Sequence, residues 1–164
     1  EGEIQKISDT ELEKQFLLKY DAVVISDYDK GFLNKKDIQK ICKIHPLTFM
    51  DTKKKLGEWS ENCCWIKINE KEYERTYDTI KDFEEIYKEK LIVTLSERGC
   101  QYEEEVYSVE EVEIKDLTGA GDTFLAALVK EYISTKNIKK SIIFANKCAT
   151  IVVQQKGVNV VKGT

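Results

Sequence analysis

Short apolar, often β-branched runs alternate with amphipathic segments along most of this chain, and polar or acidic residues follow each run. Residues 22–26, 47–50, 64–68 and 91–95 have the length and composition of strands buried on both faces. Between them, 34–43 places Ile38 and Ile41 on one helical face with Asn34 as N-cap, and 79–88 places Ile80, Phe83, Ile86 and Tyr87 inward. A helix over 9–20 leads into the first strand, a helical stretch near 70–75 follows the third, and 101–104 with 106–109 read as a short antiparallel pair. Two longer helices close the pattern. The first, 121–133, carries Phe124, Leu125, Leu128, Val129 and Tyr132 on one face, and the second spans 138–153. Such alternation specifies an α/β fold with a doubly wound, mainly parallel sheet flanked by helices, whose ligands lie at the carboxyl ends of the strands. There is no repeat and no Pro/Gly/Ser-rich linker, and 164 residues with 41% hydrophobic content bury one core.

Several function classes are excluded by charge and residue usage. The 26 basic and 30 acidic residues are interspersed and leave a formal charge of −4, so neither a nucleic-acid footprint nor a polybasic membrane patch is expected. The lysine run at 53–55 reads mostly as solvated surface. No apolar run reaches the roughly 20 residues that span a bilayer, and the expected location is cytoplasmic. Five cysteines, odd in number and without a Cys-x-x-Cys pair, are expected to be buried or partly buried thiols rather than a zinc site or disulfide framework. His45, the sole histidine, precedes Pro46 in a helix-to-strand turn and has no partner motif for hydrolase chemistry. Neither a Walker A sequence nor a Gly-x-Gly-x-x-Gly turn after a strand occurs, which argues against P-loop NTPases and dinucleotide enzymes.

The run Asp116-Leu117-Thr118-Gly119-Ala120-Gly121-Asp122-Thr123 points to a different phosphate chemistry. A helix begun within Gly119, Ala120 and Gly121 aims unpaired amides and the positive end of its dipole at one spot, and small side chains admit a phosphoryl group there. A carboxylate in that turn is costly beside a phosphate unless it takes the proton of an attacking hydroxyl. The plainer reading is that Asp122 only complements the helix dipole.

This run resembles the C-terminal signature of the ribokinase-like (PfkB-type) carbohydrate kinases. Ser26 to Gly31, Asp51-Thr52-Lys53, Asn69-Glu70-Lys71-Glu72, Thr94 to Gly99, Ala145-Asn146 and Val152 to Gly157 agree in order. Together they resemble the branch that phosphorylates D-glycero-D-manno-heptose 7-phosphate, which feeds ADP-heptose and lipopolysaccharide synthesis. The resemblance implies ATP and Mg²⁺ as cofactors and a sugar phosphate as acceptor. It implies Asp122 as catalytic base and Gly119, Ala120 and Gly121 as the anion hole. Asn69 and Glu72 would organise Mg²⁺ through water, although the same pair reads as a capping box. Lys53, Asn69, Thr94, Ser96, Glu97, Gly99 and Asn146 would contact the nucleotide, with Ser96 where glycine is common. Asp27 and Lys30 lie in the segment that resembles the sugar-side rim. The likeness covers about half of the family's domain. The chain is therefore expected to be the C-terminal part of one kinase domain, either paired with the missing N-terminal half or a homodimer. A non-catalytic nucleotide-binding or assembly module is the competing expectation, and no counterpart of a fused nucleotidyltransferase is seen.

Overall fold

The computed structural model describes residues 11–157. After helix α1 (Glu11–Leu17), strand β1 (Val23–Asp27) leads to α2 (Lys35–Ile44), β2 (Thr48–Thr52) and β3 (Trp65–Asn69). Helices α3 (Glu70–Ile80) and α4 (Glu84–Lys88) precede β4 (Leu91–Thr94). The hairpin β5 (Cys100–Tyr102) and β6 (Glu105–Tyr107) follows, then α5 (Ala120–Thr135) and α6 (Ile138–Val153). Among the described residues six strands form one sheet in sequence order. β1 to β4 are parallel, and β5 and β6 add antiparallel to β4. Helices cover both faces, as expected from the alternation.

Alternation along the strands feeds two apolar layers. Ile25, Met50, Ile66, Ile68 and Val93 pack with Ile38, Ile41, Ile80 and Tyr87 on one face. Phe49 and Ile92 pack with Phe124, Leu125, Leu128, Ile142 and Ala145 from α5 and α6 on the other. A strand sealed on both sides cannot show a polar face, which is why β2 is buried throughout. Asn34 starts α2 through a capping box: its Oδ1 accepts the Lys36 and Asp37 amides at 2.9 and 3.0 Å, and Asp37 Oδ2 accepts the Asn34 amide at 2.9 Å.

Two expectations are corrected. Residues 79–88 are not one helix: α3 runs on to Ile80, a 3₁₀ turn spans Lys81–Phe83, and α4 follows. Ile80 and Tyr87 are buried, but the tighter turn rotates Phe83 and Ile86 outward, each 38% exposed. The hairpin's strands each start one residue and end two residues earlier than the sequence pattern indicates, pairing Cys100 with Tyr107 and Tyr102 with Glu105. Glu103 turns it in a left-handed conformation, φ 55°, without the Asn-Gly signal that marks such turns. Residues 9 and 10 of the expected first helix lie outside the described residues.

His45 is buried at the α2–β2 turn, its ring nitrogens 2.7 Å from the Leu47 carbonyl and 2.9 Å from the Tyr20 carbonyl. It is structural. Cys42, Cys63, Cys100 and Cys148 are buried and Cys64 is half-buried, as composition indicates.

Candidate active site

Parallel strands end on the same side of a sheet, so the residues following β1 to β4 share one crest. Register makes this explicit: Ser26 pairs with Asp51, Asp51 with Lys67, and Asn69 with Thr94. That crest and the start of α5 line a cavity of about 510 Å³. It brings together Asp27, Lys53, Asn69, Thr94, Ser96, Glu97, Gly99, Gly119, Ala120, Gly121, Asp122 and Asn146, residues spread over most of the sequence. Glu72 and Lys30 do not line it.

The turn into α5 is built as its small residues require. Gly119 takes φ 77°, a left-handed conformation that glycine adopts without strain, and provides no side-chain bond to the helix's first amides. Ala120 N–H is engaged by the Leu117 carbonyl at 3.2 Å, so the unsatisfied donors lie further into the first turn. The preceding loop is anchored by Asp116, which accepts the Thr118 and Gly157 amides at 2.9 and 3.0 Å. The Thr118 hydroxyl, together with those amides, holds the Asp116 carboxyl below the usual aspartate range.

Asn69 and Glu72 realise the capping box: Asn69 Oδ1 accepts the Glu72 amide at 2.9 Å and Glu72 Oε2 accepts the Asn69 amide at 2.8 Å. The remaining Glu72 oxygen holds the Lys53 ammonium. Burial would lower the Lys53 pKa, but the hydrogen bond and charge of Glu72 outweigh it and raise it. Among the described residues no three His, Cys, Asp or Glu side chains cluster as a direct metal site. A hydrated Mg²⁺ needs fewer protein oxygens. Asp51 Oδ1, buried at the cavity without a hydrogen-bond partner among the described residues, is an acceptor that such an ion's waters can satisfy.

The lysine run 53–55 is not simply solvated surface. Lys54 Nζ lies 2.8 Å from Asp27 Oδ2 and 2.8 Å from Asp29 Oδ1, with its side chain 9% exposed. Asp27 also accepts the Thr52 hydroxyl at 2.7 Å and the Asp29 amide at 3.1 Å, so it organises the β1 exit. Burial by itself would raise the Asp27 carboxyl, but the Lys54 and Thr52 hydrogen bonds hold it below the ordinary value. A carboxyl depressed by folding stabilises the fold above its unfolded-state pKa, and that contribution is lost as pH falls through the folded value. Lys54→Met should therefore be less stable than wild type at neutral pH. The gap should close as pH drops below the ordinary aspartate range, read from urea unfolding midpoints.

Ser96 takes φ 56° after β4, the conformation for which glycine is suited. A left-handed non-glycine residue costs roughly 1–2 kcal/mol, and the greater unfolded-state freedom of glycine offsets roughly 0.5–1. Ser96→Gly should thus stabilise by about 0.5–1 kcal/mol, checked by chemical denaturation. Gly99 is required where it stands: φ is 87° and an added Cβ would lie 2.1 Å from the Tyr107 carbonyl oxygen. Asn146 is buried and donates from Nδ2 to that same carbonyl at 2.8 Å, so its amide ties α6 to the hairpin.

Lys67 and Tyr28 were missed as site residues. Lys67 Nζ lies 2.7 Å from Asp51 Oδ2, and a Cβ on Gly121 would come within 3.0 Å of it, so a buried ammonium supports the first turn of α5. The signal was a lysine between Ile66 and Ile68 in a buried strand. Tyr28 donates its hydroxyl to Asp122 across 94 residues of sequence, which no local pattern reveals.

A family model described as pfkB family carbohydrate kinase matches residues 10–162. The chain belongs to the pfkB family of carbohydrate kinases. Among pfkB relatives, the bifunctional protein HldE of a Nitratiruptor species is 37% identical over 155 residues, covering 85% of this chain and 33% of that protein. HldE of Campylobacter curvus is 33% identical over 173 residues, covering 94% of this chain and 36% of the relative. The chain thus spans about a third of these relatives. A ribokinase from Thermotoga maritima shares the fold with a TM-score of 0.76 at 20% identity, over 94% of this chain and 56% of that one. Arabidopsis thaliana ribokinase, solved with ribose and ATP, gives 0.71 at 19% identity, over 90% of this chain and 54% of that one. The pfkB family is one of carbohydrate kinases. No helix among the described residues is long and apolar enough to cross a membrane.

Proposed function

We propose that this chain is the nucleotide- and base-bearing part of an ATP-dependent kinase for D-glycero-β-D-manno-heptose 7-phosphate, acting in the cytoplasm at the anomeric hydroxyl. The observation that carries the reading is Asp122, in the first turn of α5 behind the left-handed Gly119, at the rim of a cavity shared with the crest residues. The heptose assignment rests on the resemblance of the segments at 26–31, 51–53, 69–72, 94–99, 145–146 and 152–157 taken together.

In this reading Asp122 accepts the proton of the acceptor hydroxyl as its oxygen bonds to the γ-phosphorus, and the bond to the β-phosphate oxygen breaks to release ADP. First-turn amides of α5 face the charge that develops on the transferring group. Lys53, Thr94, Ser96, Glu97 and Gly99 provide the nucleotide side of the cavity. Asn69 and Asp51 Oδ1, which line the cavity, would hold a hydrated Mg²⁺ through its waters, and the ion would neutralise phosphate charge. Glu72, engaged by the Asn69 amide and Lys53 and set back from the cavity, would only position those two residues. Asp27 serves the substrate only indirectly, by shaping the loop that carries Tyr28.

One observation favours a second reading, a nucleotide-binding module that works only in an assembly. Among the described residues β1 has a partner strand on one side alone, and nearby Phe16, Leu18, Tyr20, Val24 and Phe32 are all more than 45% exposed. An unpaired edge beside apolar surface suits pairing with the complementary half of the domain or with a second copy.

ATP turnover with heptose 7-phosphate and a panel of other sugars, beside calorimetric binding of Mg²⁺-ATP, tests the two. Selective turnover of heptose 7-phosphate is the expected result. Turnover of a different sugar overturns the heptose assignment, and nucleotide binding without any turnover selects the second reading.

A further inference from the structure

The phenol of Tyr28 donates to Asp122 Oδ1 at 3.0 Å and to Oδ2 at 3.1 Å. Near-equal distances put the hydroxyl between the two oxygens, where an acceptor hydroxyl delivering its proton to the carboxylate would have to approach. Backbone on both sides of Tyr28 is held. The Asp27 carbonyl accepts the Lys53 amide at 3.0 Å, the Asp29 amide donates to Asp27 Oδ1 at 3.1 Å, and Asp29 is ion-paired to Lys54 at 2.8 Å in a left-handed conformation. The loop therefore cannot slide to release Asp122. The ring can rotate, because Tyr28 is 54% exposed and leaves little packing behind.

We propose that Tyr28 is a positioning residue that takes the acceptor's place on Asp122 in the unliganded site and yields one carboxylate oxygen to the sugar hydroxyl when the sugar binds. The inference rests on Asp122 being the base. It gives Tyr28 two consequences for phosphoryl transfer. With the acceptor bound, the phenol retained on one oxygen orients the other toward the reacting hydroxyl. Without the acceptor, the phenol occupies the position that an attacking water would need, which suppresses idle ATP hydrolysis.

Two measurements on the full chain test this. Tyr28 ionisation is read as the ultraviolet difference titration of wild type against Tyr28→Phe, and again in an Asp122→Asn background. Asp122 raises the phenol's pKa through hydrogen bond and charge; Asp51 adds to the rise and Lys53 opposes it. The Tyr28 titration is expected above the ordinary tyrosine range in wild type and to fall back when Asp122 becomes asparagine. Tyr28→Phe is expected to lower transfer to heptose 7-phosphate, leave the KM for ATP unchanged, and raise the ratio of acceptor-free hydrolysis to transfer several-fold. A phenol that titrates alike in both backgrounds, or an unchanged ratio in Tyr28→Phe, overturns the proposal. Turnover that survives Asp122→Asn instead overturns the reading of Asp122 as base, whatever the phenol does.

Discussion

Asp122→Asn should reduce phosphoryl transfer by about 10²–10⁴-fold, the contribution typical of a positioned general base, while Mg²⁺-ATP binds at least as tightly as to wild type. The substitution preserves shape, and an asparagine oxygen can still accept the Tyr28 hydroxyl, so the turn at Gly119 stays closed. What is lost is the proton acceptor in the first turn of α5. Removing a negative charge beside the nucleotide phosphates relieves repulsion, which is why affinity should hold or rise. Single-turnover transfer and calorimetric ATP binding on the same preparation separate the two effects. Equal transfer rates would reduce Asp122 to a residue that complements the helix dipole.

Lys67→Met should cost about 3–5 kcal/mol of stability, because it strands a buried carboxylate. The Lys67 and Asp51 side chains are 5% and 12% exposed and pair at 2.7 Å. Among the described residues Asp51 Oδ1 has no hydrogen-bond partner, so loss of the ammonium leaves both oxygens of Asp51 without the pairing that offsets their burial. Exchanging both partners for apolar residues removes the unpaired charge, and Asp51→Leu/Lys67→Met should recover most of the loss. Urea unfolding midpoints of the single and double variants decide this. A loss below about 1 kcal/mol in Lys67→Met would mean that the pair behaves as a solvated surface bridge. The same single variant removes the charge beneath Gly121, so transfer should fall even under conditions where the protein remains folded.

Much of the architecture was legible because burial imposes a period on the chain. The sealed strands β2, β3 and β4 gave apolar runs, whereas the run at 22–26, expected to be buried, forms an edge strand with Val24 46% exposed. Helix α6 matches its expected span of 138–153, since Ile138 to Val153 keeps an apolar face and Asn137 caps it through the Lys140 amide. Where the period is weak, sequence reading failed. Residues 79–88 contain apolar side chains at helical spacing, but a 3₁₀ turn at Lys81–Phe83 changes the rotation per residue and turns two of them to solvent. The hairpin turn at Glu103 lacks glycine or asparagine, so nothing in composition located it.

The site divides in the same way. Local motifs identified the turn at Gly119 to Asp122 and the Asn69–Glu72 pair, because anion binding and capping depend on residues a few positions apart. Partners distant in sequence were invisible. Only the tertiary structure brought Tyr28 onto Asp122, set Lys67 against Asp51, committed Lys54 to Asp27 and assigned the Asn146 amide to the Tyr107 carbonyl. The chain by itself determined its alternation of strands and helices and the glycine-rich turn into α5, since these follow from side-chain period and local backbone chemistry. Which charges neutralise one another was decided by the packed sheet, because a buried ion's partner is whichever group the register of neighbouring strands sets beside it.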